Sequence, residues 1–378
     1  MGARVTGRAL VVNAGSSSLK LRMLSGSDNL EHSADLVVGA DGPNRAELVE
    51  TLSSWGAPDL VGHRVVHGGP DLTSARRIDA SVRTQIEALC ELAPLHQPAA
   101  LSAIDAVGEL MPEVPAFASF DTAFHATIPA AASTYALPRA WRARHGIRRY
   151  GFHGLSHAYA SRRAAQLVER PLEELRVITC HLGAGASIAA VHKGISVDTT
   201  MGFTPLEGLV MATRSGSVDP GLILWLQEHE AMGPREMAAI LERESGLLAL
   251  TGAADLRVVE TAAAQGDPDS QLGLEVYLHR LVAGIGAMVA TTNGLDVLVF
   301  TGGVGENSAL VRQRVSERLS HLGVKVRAYP GNVAAGDVDM SESEATVRTL
   351  IIAAREDLQI AREAREAQVN APPLTGER

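Results

Sequence analysis

The sequence predicts a layered α/β fold of more than one packed unit with a duplicated β-hairpin, and three observations point there. Short β-rich runs alternate with amphipathic helical segments, the pattern of sheets layered with helices. The segments Leu10 to Leu24 (LVVNAGSSSLKLRML) and Val177 to Val191 (VITCHLGAGASIAAV) share one plan: an apolar strand, a small-residue turn, and a second apolar strand. At 378 residues the chain is long enough for two or three domains of ~150 residues each. Two such hairpins facing each other would make a cleft.

Taken in order, the early strands are Ala9 to Val12, Leu19 to Leu24 and Leu60 to Val66. Two helices follow. One shows Val82, Ile86, Leu89 and Ala93 on one face, and the next shows Ala100, Ile104, Val107 and Met111, both at three-to-four spacing. A strand from Pro115 to Phe120 delivers Asp121. After Pro129 and Pro138 a second cycle opens with a helix after Ser156, then strands Arg176 to Cys180 and Ser187 to Val191 around a glycine turn. A long helix carrying Leu274, Leu278, Leu281, Ile285 and Met288 leads to a strand Val297 to Phe300 and another glycine turn. A last strand, Leu350 to Ala353, feeds a charged helix from Glu356 to Gln368.

Composition removes several classes. With 46% apolar and 20% charged residues the chain reads as globular, so collagen-like, disordered and disulfide-scaffold readings drop out. Lys plus Arg number 34 against 43 Asp plus Glu, a formal charge of −9, so no general basic field exists to hold nucleic acid or an anionic membrane. Any anionic ligand must be held by local groups. Cys90 and Cys180 sit in apolar surroundings without a partner motif, which suits reduced thiols in a cytoplasm. The uncharged run Leu281 to Leu295 falls short of a membrane span. The start fits a myristoylation pattern, Gly2 followed by Thr6, but is read as a frayed end, and Ala9 to Val12 stops at Asn13 before it could form a signal-peptide core.

The glycine turns suit phosphate, because small residues let backbone N–H groups approach an anion, and the hydroxyls of Ser16, Ser17 and Ser18 add donors. A third glycine segment, Gly302-Gly303-Val304-Gly305-Glu306-Asn307, follows a strand and opens a helix with Leu310, Val315 and Leu319, which would put donors beside a nucleotide. None of the three fits the P-loop or the full dinucleotide pattern, and each alone is also an ordinary tight turn. Arg64 lies among valines in GHRVVHGG, and Arg214 in the small-residue loop MATRSGS. Planar guanidinium forks there suit carboxylate and phosphoryl oxygens, although most arginines are solvated surface charges. His153 precedes a helix and His157 lies one turn along, but no cysteine or acidic ligand clusters nearby to make a zinc site. Asp121 ends a strand, where α/β folds place functional carboxylates and where a plain helix cap is equally at home.

The ordered motifs VVNAGSSSLK, GHRVVHGG, LAPLHQP, FDTAFH, RRYGFHGLSH, HLGAGAS, DTTMGFTPLEGLVMATRSGS and FTGGVGENS together resemble the acetokinase family, kinases that form acyl phosphates, across nearly the whole chain. The resemblance implies the ribonuclease H-like, actin-like ATPase fold: two duplicated domains, each a mixed five-stranded sheet flanked by helices. It sets residues 1–124 with the C-terminal helix 358–378 as the first domain, and 125–357 as a nucleotide-binding and dimerisation domain. It implies reversible, direct in-line phosphoryl transfer from ATP to acetate with Mg²⁺ (Mn²⁺ as a substitute), in a cytoplasmic homodimer with no nucleic-acid or membrane partner.

Residue by residue, the resemblance implies that Arg64 and Arg214 hold acyl carboxylate and phosphoryl oxygens, that His153 stabilises the transition state, and that His96 and His181 lie near the site. Asp121 would act with Mg²⁺ to orient the acceptor, and Asn13 and Glu356 would bind the metal. Val66, Leu95, Phe152 and Pro205 would form the pocket for the acetate methyl. Ser18, Lys20, His181, Gly183, Ala184 and Gly185 would meet the phosphates, and Asp255, Leu256 and Arg257 the adenosine. Gly302, Gly303, Val304, Gly305 and Asn307 would form the turn beneath the nucleotide.

Two positions depart from the family pattern. Ala184 stands where the second hairpin usually carries asparagine, and Ala354-Arg355 replace threonine-asparagine before Glu356. Loss of one phosphate donor costs on the order of 10²-fold in rate and slows a kinase without abolishing it. A propionate or butyrate kinase, and a nucleotide-binding paralogue without catalysis, are the alternatives at this point.

Overall fold

A computed structural model describes residues 7–15, 18–39, 42–94, 96–327 and 336–370. The chain forms two compact units: residues up to Ala126 together with those from Arg355 onward, and Thr127–Ala354.

In the first unit, β1 (Ala9–Ala14), β2 (Ser18–Leu24), β3 (Leu30–Gly39), β4 (Gly42–Pro43), β5 (Leu60–Val65), β6 (Arg76–Arg77) and β7 (Ala116–Phe120) build one sheet in the order β4-β3-β2-β1-β5-β7-β6. The strands β3, β2 and β1 run antiparallel, and β1, β5 and β7 run parallel. In the second unit, β8 (Arg176–Leu182), β9 (Ala186–His192), β10 (Ile195–Thr199), β11 (Val297–Thr301), β12 (Val338–Asp339) and β13 (Arg348–Ile351) follow the order β10-β9-β8-β11-β13-β12. Apart from β4, which has no counterpart in the second sheet, the two orders coincide. Even the short antiparallel partner of the last parallel strand recurs, β6 on β7 and β12 on β13. Apart from the two-residue strands β4, β6 and β12, each sheet has five strands and mixes parallel with antiparallel pairing, as the resemblance implies.

Side chains alternate between faces along each strand, which decides what each helix covers. In the first unit Val61 and Val65 point to the face covered by helix Gln97–Leu110, whose Ala103, Ile104 and Val107 complete the apolar packing. Asn13 pairs in register with both Lys20 and Arg64, so these polar residues share the other face, where helix Glu356–Asn370 lies against β1, β5 and β7. In the second unit Cys180 and Ile188 share the face covered by the long helix Pro268–Thr292. Thr179, His181 and Ser187 share the opposite face, beneath helix Gly154–Leu167.

Helix Pro268–Thr292 is long and apolar enough to cross a membrane by length and composition. Its Leu274, Leu278, Leu281, Ile285 and Met288 are buried within the second unit.

The structure departs from expectation in identifiable places. The helix begun at Ala80 ends at Ala88 and tightens into a 3₁₀ turn, Leu89–Glu91, so Leu89 and Ala93 lie beyond it. The third glycine segment is a short helix, Gly302–Asn307, rather than a turn, and Ser308 then caps a second helix, Ala309–Arg318, by accepting from Val311 N at 3.0 Å. Arg355, Glu356 and Asp357 pack with the first unit, not the second. Met1 to Thr6, with the myristoylation pattern, and Ser16 and Ser17 lie outside the described residues. Strand β3 and helix Arg45–Trp55 add elements that the apolar pattern had not marked.

Candidate active site

The first unit gathers four predicted residues into one cluster. Asn13 on β1 and Arg64 on β5 are register partners on neighbouring strands, Asp121 follows β7, and Glu356 opens the C-terminal helix on the same face. Arg64 grips Asp121 with both prongs of its fork, Nε to Oδ1 at 3.1 Å and Nη2 to Oδ2 at 2.6 Å. Its Nη1 donates to Asn13 Oδ1 at 3.2 Å, and Asn13 Nδ2 donates to Glu356 Oε2 at 3.4 Å.

Asp121 is therefore the ion-pair partner of Arg64. Burial opposes charge on the Arg64 guanidinium, but the charges of Asp121 and Glu356 outweigh it and hold the group above its ordinary range. Burial pushes the Asp121 carboxyl up, with Glu356 adding to this and Arg64 and His96 pulling it back. Three of the five guanidinium N–H groups of Arg64 are engaged among the described residues.

Lys20, across from Asn13, is exposed, and Ser18 closes the first turn by accepting from Gly15 N at 2.7 Å. His96 stands at the start of helix Gln97–Leu110, and Val66 is buried beside the strand end. Leu95 lies outside the described residues.

The second unit assembles a basic counterpart. His181 holds in β8 the place that Asn13 holds in β1, the last but one residue of its strand. Its Nδ1 lies 2.8 Å from Ser156 Oγ, and its ring stacks tilted on His153 with centroids 4.3 Å apart. His153 sits in the left-handed region at φ +56°, with Nδ1 2.9 Å from Ser187 Oγ. Ser187 in turn lies 2.8 Å from His157 Nε2, and His157 Nδ1 lies 2.7 Å from Thr179 Oγ1. Both ring nitrogens of His157 are thus taken by hydroxyls, and a zinc pair with His153 has no place.

The turn Gly183-Ala184-Gly185 closes with Gly183 N donating to Gly185 O at 2.9 Å, and Ala184 is exposed. A side-chain carbon on Gly185 would lie 3.3 Å from His153 Cε1 and 3.5 Å from Arg214 Nη1, so the turn, the histidine and the arginine converge. Arg214 Nη1 donates to Pro205 O at 3.2 Å, and no carboxylate pairs with it among the described residues. Burial pulls its guanidinium below its ordinary range, and Glu242 offsets part of this.

The remaining predictions fare unevenly. Phe152 is buried next to His153, and Pro205 is half-buried against Arg214. Gly302, Gly303, Val304, Gly305 and Asn307 fall on the short helix after β11, where Asn307 Nδ2 donates to Gly303 O at 2.8 Å. Asp255 caps helix Leu256–Ala264 and pairs with exposed Arg257, whereas Leu256 points into the core. Arg355 turns its fork onto Asp357, with Nε to Oδ1 and Nη2 to Oδ2 both at 2.9 Å, so its charge is met locally. Sequence reasoning missed Ser187 and Thr179. Their one signal is a hydroxyl in an otherwise apolar strand.

The acetokinase family pattern matches residues 47–362. An acetate kinase from Rippkaea orientalis is 42% identical over 354 residues, covering 93% of this chain and 87% of its own, and one from Shouchella clausii is 42% identical over 387 residues, covering 94% and 98%. Among solved structures, the acetate kinase of Porphyromonas gingivalis superposes with a TM-score of 0.86 at 33% identity over 96% of this chain and 99% of its own. A propionate kinase from Francisella tularensis gives 0.86 at 34%, over 95% and 99%. The family match over residues 47–362, relatives 42% identical across more than nine-tenths of the chain and two solved structures superposing at a TM-score of 0.86 place this chain in the acetokinase family.

Proposed function

We propose that this chain is an acetate kinase that transfers a phosphoryl group from ATP to acetate, reversibly and without a covalent enzyme intermediate. The observation that supports this most is Arg214, a half-buried cation with no carboxylate partner among the described residues, set beside a glycine turn and a histidine. A buried charge is costly until it is paired, so such a group is poised for an anion.

The chemistry asks for cations and little else. A carboxylate is already ionised at neutral pH and needs no general base, but it must approach an anionic phosphate against charge repulsion. In this reading the two remaining N–H groups of Arg64 hold the acetate carboxylate, and Asp121 keeps that fork fixed. Arg214 and His153 meet the phosphoryl oxygens, and the backbone of Gly183, Ala184 and Gly185 cradles the phosphates. In this reading Val66, Phe152 and Pro205 are the apolar side chains assigned to the methyl group. Ala184 offers only its backbone where the family pattern carries an amide side chain, which slows transfer without preventing it.

Glu356 and Asn13 fit a magnesium ion in part. Among the described residues no three His, Cys, Asp or Glu side chains cluster as a metal cage, which suits a cation that keeps water and phosphate oxygens as most of its ligands. Glu356 would be the protein ligand. Asn13, whose carbonyl faces Arg64 and whose amide faces Glu356, would orient that carboxylate. Bound there, the ion would neutralise charge on the phosphates.

Association of two copies belongs to this reading. Helix Pro220–His229 has no buried residue and exposes Leu222, Leu224 and Trp225, a surface suited to a second chain. Sedimentation across a range of concentrations tests it.

Incubation with ATP, Mg²⁺ and acetate, with acetyl phosphate trapped as its hydroxamate, tests the activity. Nucleotide binding without any acyl phosphate would identify a non-catalytic paralogue. Faster turnover with propionate than with acetate would move the assignment to the longer acid.

A further inference from the structure

The loop that reaches Arg214 is held by a cluster of three side chains to which the reaction assigns no part. Arg149 Nη1 lies within reach of three successive carbonyls, Thr199 at 3.2 Å, Thr200 at 3.1 Å and Met201 at 3.1 Å, while Nη2 donates to Glu207 Oε1 at 2.7 Å. The second oxygen of Glu207 bonds to the Tyr135 hydroxyl, and that hydroxyl accepts from Phe203 N at 3.0 Å.

The loop from 201 to 208 is thus clamped at Met201, Phe203 and Glu207. Pro205 lies between the last two clamps, and its carbonyl accepts from Arg214 Nη1 at 3.2 Å. The loop closes so tightly that a side-chain carbon on Gly202 would lie 1.8 Å from Glu207 Oε2 and 2.2 Å from the Tyr135 hydroxyl.

The same cluster reaches toward His153. Arg149 stands four residues before it, and Tyr150 N and Gly151 N both donate to Gly202 O, at 3.0 and 3.2 Å. The two segments that carry His153 and contact Arg214 are therefore stitched to one another around Arg149, Glu207 and Tyr135.

Charge within the cluster is balanced. Burial and the neighbouring Glu207 push the Tyr135 phenol above its usual range, which keeps it a neutral donor, and Arg149 and Glu207 cancel. A neutral, hydrogen-bonded and largely enclosed unit of this kind is rigid, because leaving any member unpaired is costly.

We propose that Arg149, Glu207 and Tyr135 are positioning residues that set the placement of His153 and Arg214 for phosphoryl transfer. The inference rests on the acyl-phosphate-forming reading given above. Misplacement of reacting groups by about 1 Å costs on the order of 10²-fold in rate, so loss of one clamp should appear in turnover before it appears in binding.

The test uses the full chain with Tyr135→Phe and Glu207→Gln, each assayed for kcat and nucleotide KM well below its melting temperature. The expected result is a kcat lowered by about 10- to 100-fold with nucleotide KM changed less than about threefold and the melting transition retained. In a double-mutant cycle with Arg214→Lys, the Tyr135→Phe effect should shrink, because the hydroxyl acts through that arginine. Unchanged kcat in both variants would overturn the proposal, and so would a loss of rate that only follows the loss of folded protein. If the unsubstituted chain forms no acyl phosphate, the functional reading fails and this inference fails with it. If it does form acyl phosphate and the variants match it, only this inference fails.

Discussion

Arg64 holds Asp121 by both carboxylate oxygens, at 3.1 and 2.6 Å, with the Asp121 side chain 2% and the Arg64 side chain 16% exposed. Arg214, the other predicted arginine, has no carboxylate at all among the described residues. The two cations of the proposed site therefore stand in opposite electrostatic situations, and substitution should separate them.

Arg64→Ala strands a buried carboxylate, which costs about 3–5 kcal/mol when a buried pair loses one member. Arg214→Ala removes a half-buried cation that no carboxylate pairs with among the described residues, so stability should stay within about 1 kcal/mol of the unsubstituted protein or rise. Both should lose turnover by at least about 10²-fold. Denaturant unfolding beside a hydroxamate assay reads both quantities. Equal destabilisation by the two substitutions would contradict the pairing described here.

Glu356 and Asn13 make a prediction about the metal. Chelation should stop turnover and added Mg²⁺ restore it. Asn13→Ala should raise the Mg²⁺ needed for half-maximal rate by about 10- to 100-fold, since a group that orients a ligand typically carries that much of the affinity. Glu356→Gln should raise it further. A Glu356→Gln enzyme with an unaltered Mg²⁺ requirement would remove that residue from the metal site.

How far the sequence could be read depended on where each signal lies. The hairpins β1–β2 and β8–β9 were legible because apolar runs flank small-residue turns, and their likeness exposed the duplication before any coordinates. Strand β3 was not legible: Glu31, His32, Ser33 and Asp35 are exposed on it, so it shows no buried run. Helix Pro220–His229 buries no residue, and its apolar side chains therefore trace no stripe. In the site, Asn13, Arg64, Asp121 and Glu356 could be named individually from their motifs, and the structure brings them together. The clamp of Tyr135 on Glu207 joins residues 72 positions apart, and no local pattern carries such a link.

The departure at Ala184 can be reversed. Its side chain is exposed and its carbonyl accepts from Ala212 N at 3.1 Å, a bond that any residue at this position keeps. Ala184→Asn should therefore leave stability unchanged and, by adding a donor on the phosphate turn, raise kcat by about tenfold or more. Unchanged or reduced kcat would mean that the backbone of this turn already supplies what the transfer needs.

Acid should weaken the first unit through its buried histidines. His63 lies on β5, on the face covered by helix Gln97–Leu110, 2% exposed, and its Nε2 has no hydrogen-bond partner among the described residues. Burial pulls its pKa down to about 3, and that of His67 to about 4. The unfolded chain binds these protons near pH 6.5 and the folded chain does not. The stability is therefore complete above about pH 6.5 and is lost as pH falls toward these lowered values, at about 1.4 kcal/mol per unit for each histidine. Urea unfolding at pH 7.5 and 4.5 should show His63 alone accounting for about 2–3 kcal/mol of the loss, and His63→Leu should remove that share of the pH dependence. An identical pH dependence in the variant would show that His63 takes up its proton without cost in the folded protein, against its apolar setting.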